Sequence, residues 1–338
     1  MNLIPESNGL KKVDMSSRIG EKSPIKTTCI IILGIFLFGF LFQTVGDFIG
    51  NERISERLNY TKIENKKMEY KTGGSGDYTI VFDGAIGANL YEWDTVCDKI
   101  QSELGVKTFV YNRRGYGFNE NLEGETPSKQ AENLKILLRK AGVSGNIIFV
   151  GEEYGSLVAT NFIKLYPESV KGLVLVKPFS EEIIKGDEFK KSIKWKYYRS
   201  KLEATGTNVG LTRILDQFNL TTEVDGFEEK LPEIANKEFK IHKNQKAYRG
   251  AIRDELNNLY TYSENSQVEG LVSGKPLYII SNEDNDPLSK LGTTDNTTIY
   301  KTESNSSVIS LTDSDIVKNA ITSVVKEARK IEKKANAK

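Results

Sequence analysis

Residues 146–166 read NIIFVGEEYGSLVATNFIKLY. Ile147 to Val150 form a short, bulky apolar run, the pattern of a strand buried on both faces. Gly155 to Tyr166 carry helical spacing, with no loop residues between the two segments. A strand that enters a helix through Gly151-Glu152-Glu153-Tyr154-Gly155 must turn within a few residues. Glycines at both ends of that turn allow backbone to approach backbone. The central residue, Glu153, then points off the top of the sheet.

The same rhythm extends to both sides. Tyr78–Phe82 (YTIVF), Val106–Tyr111 (VKTFVY), Val170–Val176 (VKGLVLV), Lys275–Ser281 (KPLYIIS) and Thr297–Lys301 read as strands. Between them lie helical patterns at Trp93–Leu104 and after Thr126-Pro127, a cap residue followed by proline at the first helical position. A terminal helix begins near Asp313. Alternating apolar strands and amphipathic helices predict a mostly parallel α/β sheet covered on both faces. Residues 179–270 break the rhythm: they are helical, charged and aromatic, and read as an insertion between two strands of the sheet. Trp195, Tyr197 and Tyr198 within it are expected to form its core. Gly73-Gly74-Ser75-Gly76 precedes a strand and lacks the lysine of a phosphate loop, so it reads as a turn.

The chain has 338 residues, 47 Lys+Arg against 46 Asp+Glu, two cysteines and a single histidine. Near-neutral charge gives no field that would draw the whole protein to nucleic acid. Two cysteines exclude a disulfide scaffold, and one imidazole excludes a histidine-rich metal site. No metal and no cofactor is expected. Any histidine-dependent mechanism must use His242, which sits in KIHKNQK and reads as a solvated surface residue.

Residues 27–46 carry no charge, and Cys29–Phe42 is apolar or glycine throughout. Twenty helical residues rise about 30 Å, the thickness of a hydrocarbon core. A long preceding segment without a small-residue cleavage site favours an uncleaved anchor over a signal peptide. Lys12, Arg18, Lys22 and Lys26 precede the span, and only Arg53 and Arg57 follow it closely. That bias keeps the N-terminus in the cytoplasm. The expected organisation is a cytoplasmic tail over 1–26, a single transmembrane helix over 27–46 in the cell membrane, and a charged helical linker over 47–62. An extracytoplasmic domain over 63–338 follows, with a cap at about 179–270.

The turn at Glu153 has the form of a nucleophile elbow, G-x-S-x-G, with glutamate at the central position. With FDGAIGANLYEW, FVYNRRGYGFNE, TPSKQAENLKILLRKAG and SVISLTDSDIVKNAI, it resembles the α/β-hydrolase superfamily in its membrane-anchored bacterial branch. The resemblance implies a mostly parallel hydrolase sheet flanked by helices, a helical cap over the pocket, and one N-terminal transmembrane helix before it. Carried over residue by residue, it puts Glu153 at the nucleophile position and Ser307 at the histidine position. The acid falls at Asp284 or Asp286, with another family position near Glu181, and the choice between them stays open. Asn112 stands where the family has aspartate, and Asp83-Gly84 where it has His-Gly. The oxyanion hole would come from the backbone N–H groups of Tyr154 and Ala85.

A serine mechanism needs a hydroxyl and an imidazole that takes and returns its proton. Glu153 lacks the first and Ser307 the second, and Ser156 gains nothing as a nucleophile without histidine. The leading expectation is therefore a catalytically impaired, membrane-anchored hydrolase-fold protein. It would contact the lipid bilayer through residues 27–46 and bind an unidentified small molecule or protein at the pocket or cap, and no nucleic acid. One alternative is an active hydrolase of ester-type substrates using Glu153. Another is a structural envelope protein.

Overall fold

The computed structural model describes residues 24–54, 58–224 and 226–337. Eight strands form one sheet: β1 (Asn59–Ile63), β2 (Lys66–Gly74), β3 (Thr79–Asp83), β4 (Lys107–Tyr111), β5 (Ile147–Glu152), β6 (Val170–Val176), β7 (Leu277–Ser281) and β8 (Thr297–Lys301). Their spatial order is β1-β2-β4-β3-β5-β6-β7-β8. All pairings from β4 to β8 are parallel, while β2 runs antiparallel to both β1 and β4. β3 and β5 are buried along their whole length, as strands between two helical layers must be.

Chain direction explains the layers. The connection from β3 to β4 moves one way along the sheet, and the connections from β4 to β5 and β5 to β6 move the other. Right-handed crossovers then put helix Asp94–Leu104 on one face, and helices Pro127–Lys140 and Gly155–Leu165 on the other. The latter two pack on each other, and the C-terminal helix Ser314–Asn336 packs on Asp94–Leu104. The order reverses between β3 and β5, where Asp83 is in register with Gly151. In an open α/β sheet such a switch point leaves a crevice at the carboxyl ends of the strands. The Glu153 turn lies at its edge.

Helix starts follow the sequence signals. Thr126 caps Pro127–Lys140 by accepting from the Lys129 N–H, and Asp313 caps Ser314–Asn336 by accepting from the Ile316 N–H. Helices fill the connection between β6 and β7, of which Asp187–Gly206 and Lys246–Tyr260 are the longest and pack together. Tyr197 stacks on Tyr260 there, with ring centroids 4.5 Å apart. Trp195 departs from the expected lid core, since it is 76% exposed.

Among the described residues one helix, Pro24–Ile54, precedes the sheet, and its segment Pro24–Ile49 is long and apolar enough to cross a membrane. Of the expected cytoplasmic tail, residues 1–23 lie outside the described residues, as does Arg57. The expected linker over 47–62 is corrected at its far end. Asn59–Ile63 is strand β1, paired with β2, so the sheet begins before residue 63. Both strands are rich in lysine and polar residues, which suits a sheet edge and hides the apolar alternation of an inner strand.

Close approach at the elbow rests on glycine. A Cβ on Gly155 would collide with the backbone carbonyl oxygen of Asp83, and one on Gly151 would lie 2.7 Å from the Gly155 oxygen. Gly155→Ala is therefore expected to lower stability by about 1–3 kcal/mol, the usual cost of forcing a methyl into a packed core. Urea unfolding of the full chain in detergent micelles, compared with the parent at equal m-value, measures it.

Candidate functional site

Glu153 has φ of +47°, a conformation that costs a non-glycine residue energy and must be held by its surroundings. Its N–H donates to the Val176 carbonyl at 3.0 Å, and the Gly155 N–H donates to the Gly84 carbonyl at 3.1 Å. Ser156 completes the brace. Its hydroxyl donates to the Glu153 carbonyl at 2.5 Å and accepts from the Phe179 N–H at 3.0 Å. Ser156 thus serves as a structural tie in a buried position.

The partly buried Glu153 carboxyl is pushed up to about 7, chiefly by burial. Lys196 of the cap and Lys177 pull it down, Glu152 pushes it up, and the backbone N–H of Ile86 donates to it. The Ala85 N–H, expected to serve an oxyanion hole, points instead to Glu92, at 3.4 Å. Tyr154 follows Glu153 as expected. Its hydroxyl accepts from Asn258 at 2.8 Å, and the Arg113 guanidinium lies 5.1 Å from its ring centroid.

Two more carboxyls lie beneath the turn. Glu152 and Glu92 are both fully buried and in mutual contact. Burial, then the neighbouring Glu152 charge, holds Glu92 well above the usual carboxylate range. Burial also raises Glu152, opposed by hydrogen bonds from Glu92, from the Ser310 hydroxyl and from the N–H groups of Ile309 and Ser310. Two buried carboxyls in contact cannot both ionise freely, so the pair holds one proton. The rise is larger on Glu92, while Glu152 keeps the N–H donors of Ile309 and Ser310.

Lys177 is the cation nearest in chain to the β6 end of the elbow. Its Nζ donates to the carbonyls of Ser306 at 2.9 Å and Ser304 at 3.3 Å, which draws the Ser307 loop towards the site. Burial lowers its pKa, and the charges of Glu153 and Glu152 oppose that shift. The Asp83-Gly84-Ala85 loop is held from below by Arg113. This buried guanidinium donates to Asp83, to the Gly84 carbonyl at 2.8 Å, to the Ala85 carbonyl at 2.9 Å and to Glu255 of the cap at 2.7 Å.

The structure does not gather the remaining expected residues at the elbow. Asp284 is exposed and paired with Lys301 at 2.8 Å, and Asp286 caps the short helix Pro287–Leu291 through the Leu288 N–H. Glu181 accepts from the Tyr262 hydroxyl and from the N–H and hydroxyl of Ser266, which hold its carboxyl below the usual value against its burial. Asn112 accepts from the Leu90 N–H and donates to Glu69. Ser307 itself is half-buried on its loop.

His242 is not a surface residue. It is 2% exposed, its Nδ1 lies 3.1 Å from Gln245 Oε1, and its ring meets Phe118 edge-on at 4.2 Å. Burial lowers its pKa to about 4, so the ring is neutral near pH 7. Flanking lysines misled the reading because a helix alternates faces: Lys240 points out while His242 turns in. Sequence reading also passed over Glu152, Glu92, Lys177 and Ile86. The available signal was two glutamates at the end of a strand otherwise buried on both faces.

The cap holds a cleft of about 650 Å³ lined by Trp195, Lys196, Arg199, Thr222, Glu223 and Val224 among others. Val224 lies over Gly87, where a Cβ would come within 2.9 Å of its methyl. Lys196 therefore belongs both to this cleft and to the electrostatic surroundings of Glu153.

A family model described as alpha/beta hydrolase fold matches residues 78–298. Among solved structures, the chain is similar to an epoxide hydrolase from Vigna radiata, with a TM-score of 0.61 at 16% identity over 80% of this chain and 98% of that one. It is also similar to the enol-lactonase from Burkholderia xenovorans LB400, with a TM-score of 0.56 at 14% identity over 79% of this chain and 100% of that one. At such identities the likeness concerns the fold. A curated relative, the uncharacterised protein YqjL of Bacillus subtilis, is 28% identical over 111 residues. That match spans 32% of this chain and 43% of the relative's length.

The raised Glu153 pKa has a definite sign. An unfolded glutamate ionises near 4.5 and the folded one near 7, so the folded state binds more protons between those values. Stability attributable to Glu153 then falls as pH rises from about 4.5 to 7 and stays low above that. Glu153→Gln should match the parent near pH 4 and exceed it by up to about 3 kcal/mol at pH 8. Removing a neighbouring cation with Lys177→Met should move the Glu153 midpoint further up. Tm measured across a pH series for the three proteins tests both statements.

Proposed function

The chain belongs to the α/β-hydrolase-fold family, and from that premise we propose that it is a membrane-anchored member in which the elbow binds a ligand and does not run serine–histidine hydrolysis. The N-terminal helix anchors it, with the tail before the helix in the cytoplasm and the sheet and cap outside. One observation carries the reading. The Glu153 carboxyl takes the Ile86 N–H donor and is flanked by Lys196 and Lys177, while the histidine of the chain is engaged by Gln245 and Phe118. A carboxylate on that backbone donor fills the place where a developing oxyanion would need it. The nearest cation on the β6 side, Lys177, is tied to two carbonyls.

The cap cleft, which shares Lys196 with the surroundings of Glu153, supports binding. At about 650 Å³ it has the size of a small-molecule site, which also weighs against a purely structural envelope role. Lys196, Arg199, Glu223 and Glu229 on its walls suit a ligand carrying both polar and charged groups.

A second reading keeps catalysis. A carboxyl near 7 is poised to take or give a proton at neutral pH, and two of the similar structures named above are an epoxide hydrolase and an enol-lactonase. Glu153 would then act as base or nucleophile on an ester or epoxide held in the cap cleft.

Turnover of activated short-chain esters and simple epoxides by the full chain in detergent separates the two. It is run beside Glu153→Ala and a Glu153→Ser/Ser307→His double change. The binding reading expects an inactive parent, with ester turnover appearing only in the double change. Parent turnover lost in Glu153→Ala would overturn it and make Glu153 the reacting group.

A further inference from the structure

The apolar helix does not merely precede the domain; it is packed against the cap, and the contact lies inside the apolar stretch. A Cβ on Gly39 would collide with the Val209 carbonyl, and the Cβ of a residue at Gly210 would lie 3.2 Å from the Gly39 oxygen. A polar latch follows one turn on. Gln43 donates to the Asn244 carbonyl at 3.1 Å, while Arg213 donates to Gln43 at 3.1 Å and to Asp47 at 2.7 Å. Gly39 precedes Gly46, the end of the uncharged run, by about 10 Å of helix at 1.5 Å per residue. If residues 27–46 fill the hydrocarbon core, the cap segment at Val209–Gly210 must reach the level of the outer leaflet.

The cap surface around that contact suits such depth. Ile214, Phe218, Leu220 and Leu202 are exposed, Phe218 by 67% and Leu202 by 62%. With Trp195, Tyr198 and Leu215, two of them, Leu202 and Leu220, line an apolar groove of about 510 Å³. Helix Asp187–Gly206 carries Trp195, Tyr198 and Leu202 of this face and also the exposed Lys191, Lys194, Lys196 and Lys201, while residues 211–220 supply the rest. Exposed apolar and aromatic side chains flanked by lysines are the composition of an element lying in a bilayer interface, with cationic heads reaching anionic lipid.

We propose that this face of the cap is a second membrane-binding element, seated in the outer leaflet of the bilayer that holds the helix and favouring anionic phospholipid. The proposal rests on the membrane-anchor reading above. Continuity with the packed helix selects a lipid surface as the occupant. Trp195 and Arg199 line both the groove and the cap cleft, so lipid seated here borders that cleft.

Tryptophan emission tests it, because the two tryptophans differ: Trp93 is 2% exposed and Trp195 is 76% exposed. The full chain is reconstituted into phosphatidylcholine–phosphatidylglycerol vesicles with and without bromine on the acyl chains. Flotation reports the anchor, and the difference between the parent and Trp195→Phe reports Trp195. The expected result is flotation with about twofold quenching of Trp195 by brominated lipid, as for a side chain seated at the acyl boundary. Phe218→Glu/Leu220→Glu, folded by circular dichroism, should still float but lose that quenching. A chain that floats with Trp195 unquenched overturns the docking and leaves the anchor standing. A chain that does not float overturns the anchor and the docking with it. Quenching retained in the double glutamate variant overturns the assignment to this face.

Discussion

Arg113 is the interaction on which the arrangement of core and cap depends. Its guanidinium is buried, and a buried cation is tolerated only when carboxylates and carbonyls replace the water it has lost. Here the replacements come from two parts of the fold. Asp83 and the carbonyls of Gly84 and Ala85 belong to the loop after β3, and Glu255 belongs to the cap helix Lys246–Tyr260. Two carboxylates face one cation, and the hydroxyls of Tyr111 and Tyr116 donate to them, taking up part of the excess negative charge. Losing one partner of such a cluster leaves an uncompensated buried charge, at a cost of about 3–5 kcal/mol. The loop that presents Ile86 to Glu153 and the cap that presents Lys196 are thus tied together by Arg113, helped by Tyr248, whose hydroxyl donates to the Gly87 carbonyl at 2.7 Å.

The elbow itself uses the strained geometry of its family for a different chemical group. A φ of +47° persists because the hydrogen bonds to β6 and to Gly84 over-determine it. The consequence is a division between adjacent glutamates. Glu152 turns into the core, shares a proton with Glu92 and binds the N–H groups of Ile309 and Ser310. Glu153 turns to the crevice and meets a backbone donor and two lysines. The inner pair fastens the elbow to the segment after β8, the part of the fold in which the family histidine is expected. That segment therefore keeps its position without an imidazole in it.

The inner sheet was legible because its strands are apolar runs bounded by turn residues, and the elbow was legible because glycine must stand where backbones touch. The sheet edge was not: NYTKI and KKMEYKTGG carry the charges that protect an edge, which look like linker. Aromatic residues of the cap were read as one group, yet Trp195 and Tyr197 lie about 200° apart on a helix and face opposite ways. Glu92 gave no signal at all, since only the folded sheet brings it against Glu152. The site residues were legible as positions in a motif. Their partners were not, because hydrogen bonds between distant segments leave no local pattern.

The latch joins the apolar N-terminal helix to the cap through polar side chains. Gln43 and Asp47 are polar side chains on a helix that is otherwise apolar over most of its length, and such groups are costly near lipid unless paired. Their partners, Arg213 and Asn244, are cap residues that flank the region of His242 and Lys243. Lys243 in turn binds Asp216 and Glu228 at 2.7 Å each, tying the short cap helices together. The helix Pro24–Ile54 thereby packs on the cap, against Thr207–Val209 and Glu233–His242. The helix is thus held on the cap by Arg213 and Asn244, and the cap is held on the Gly84–Ala85 backbone by Arg113 through Glu255.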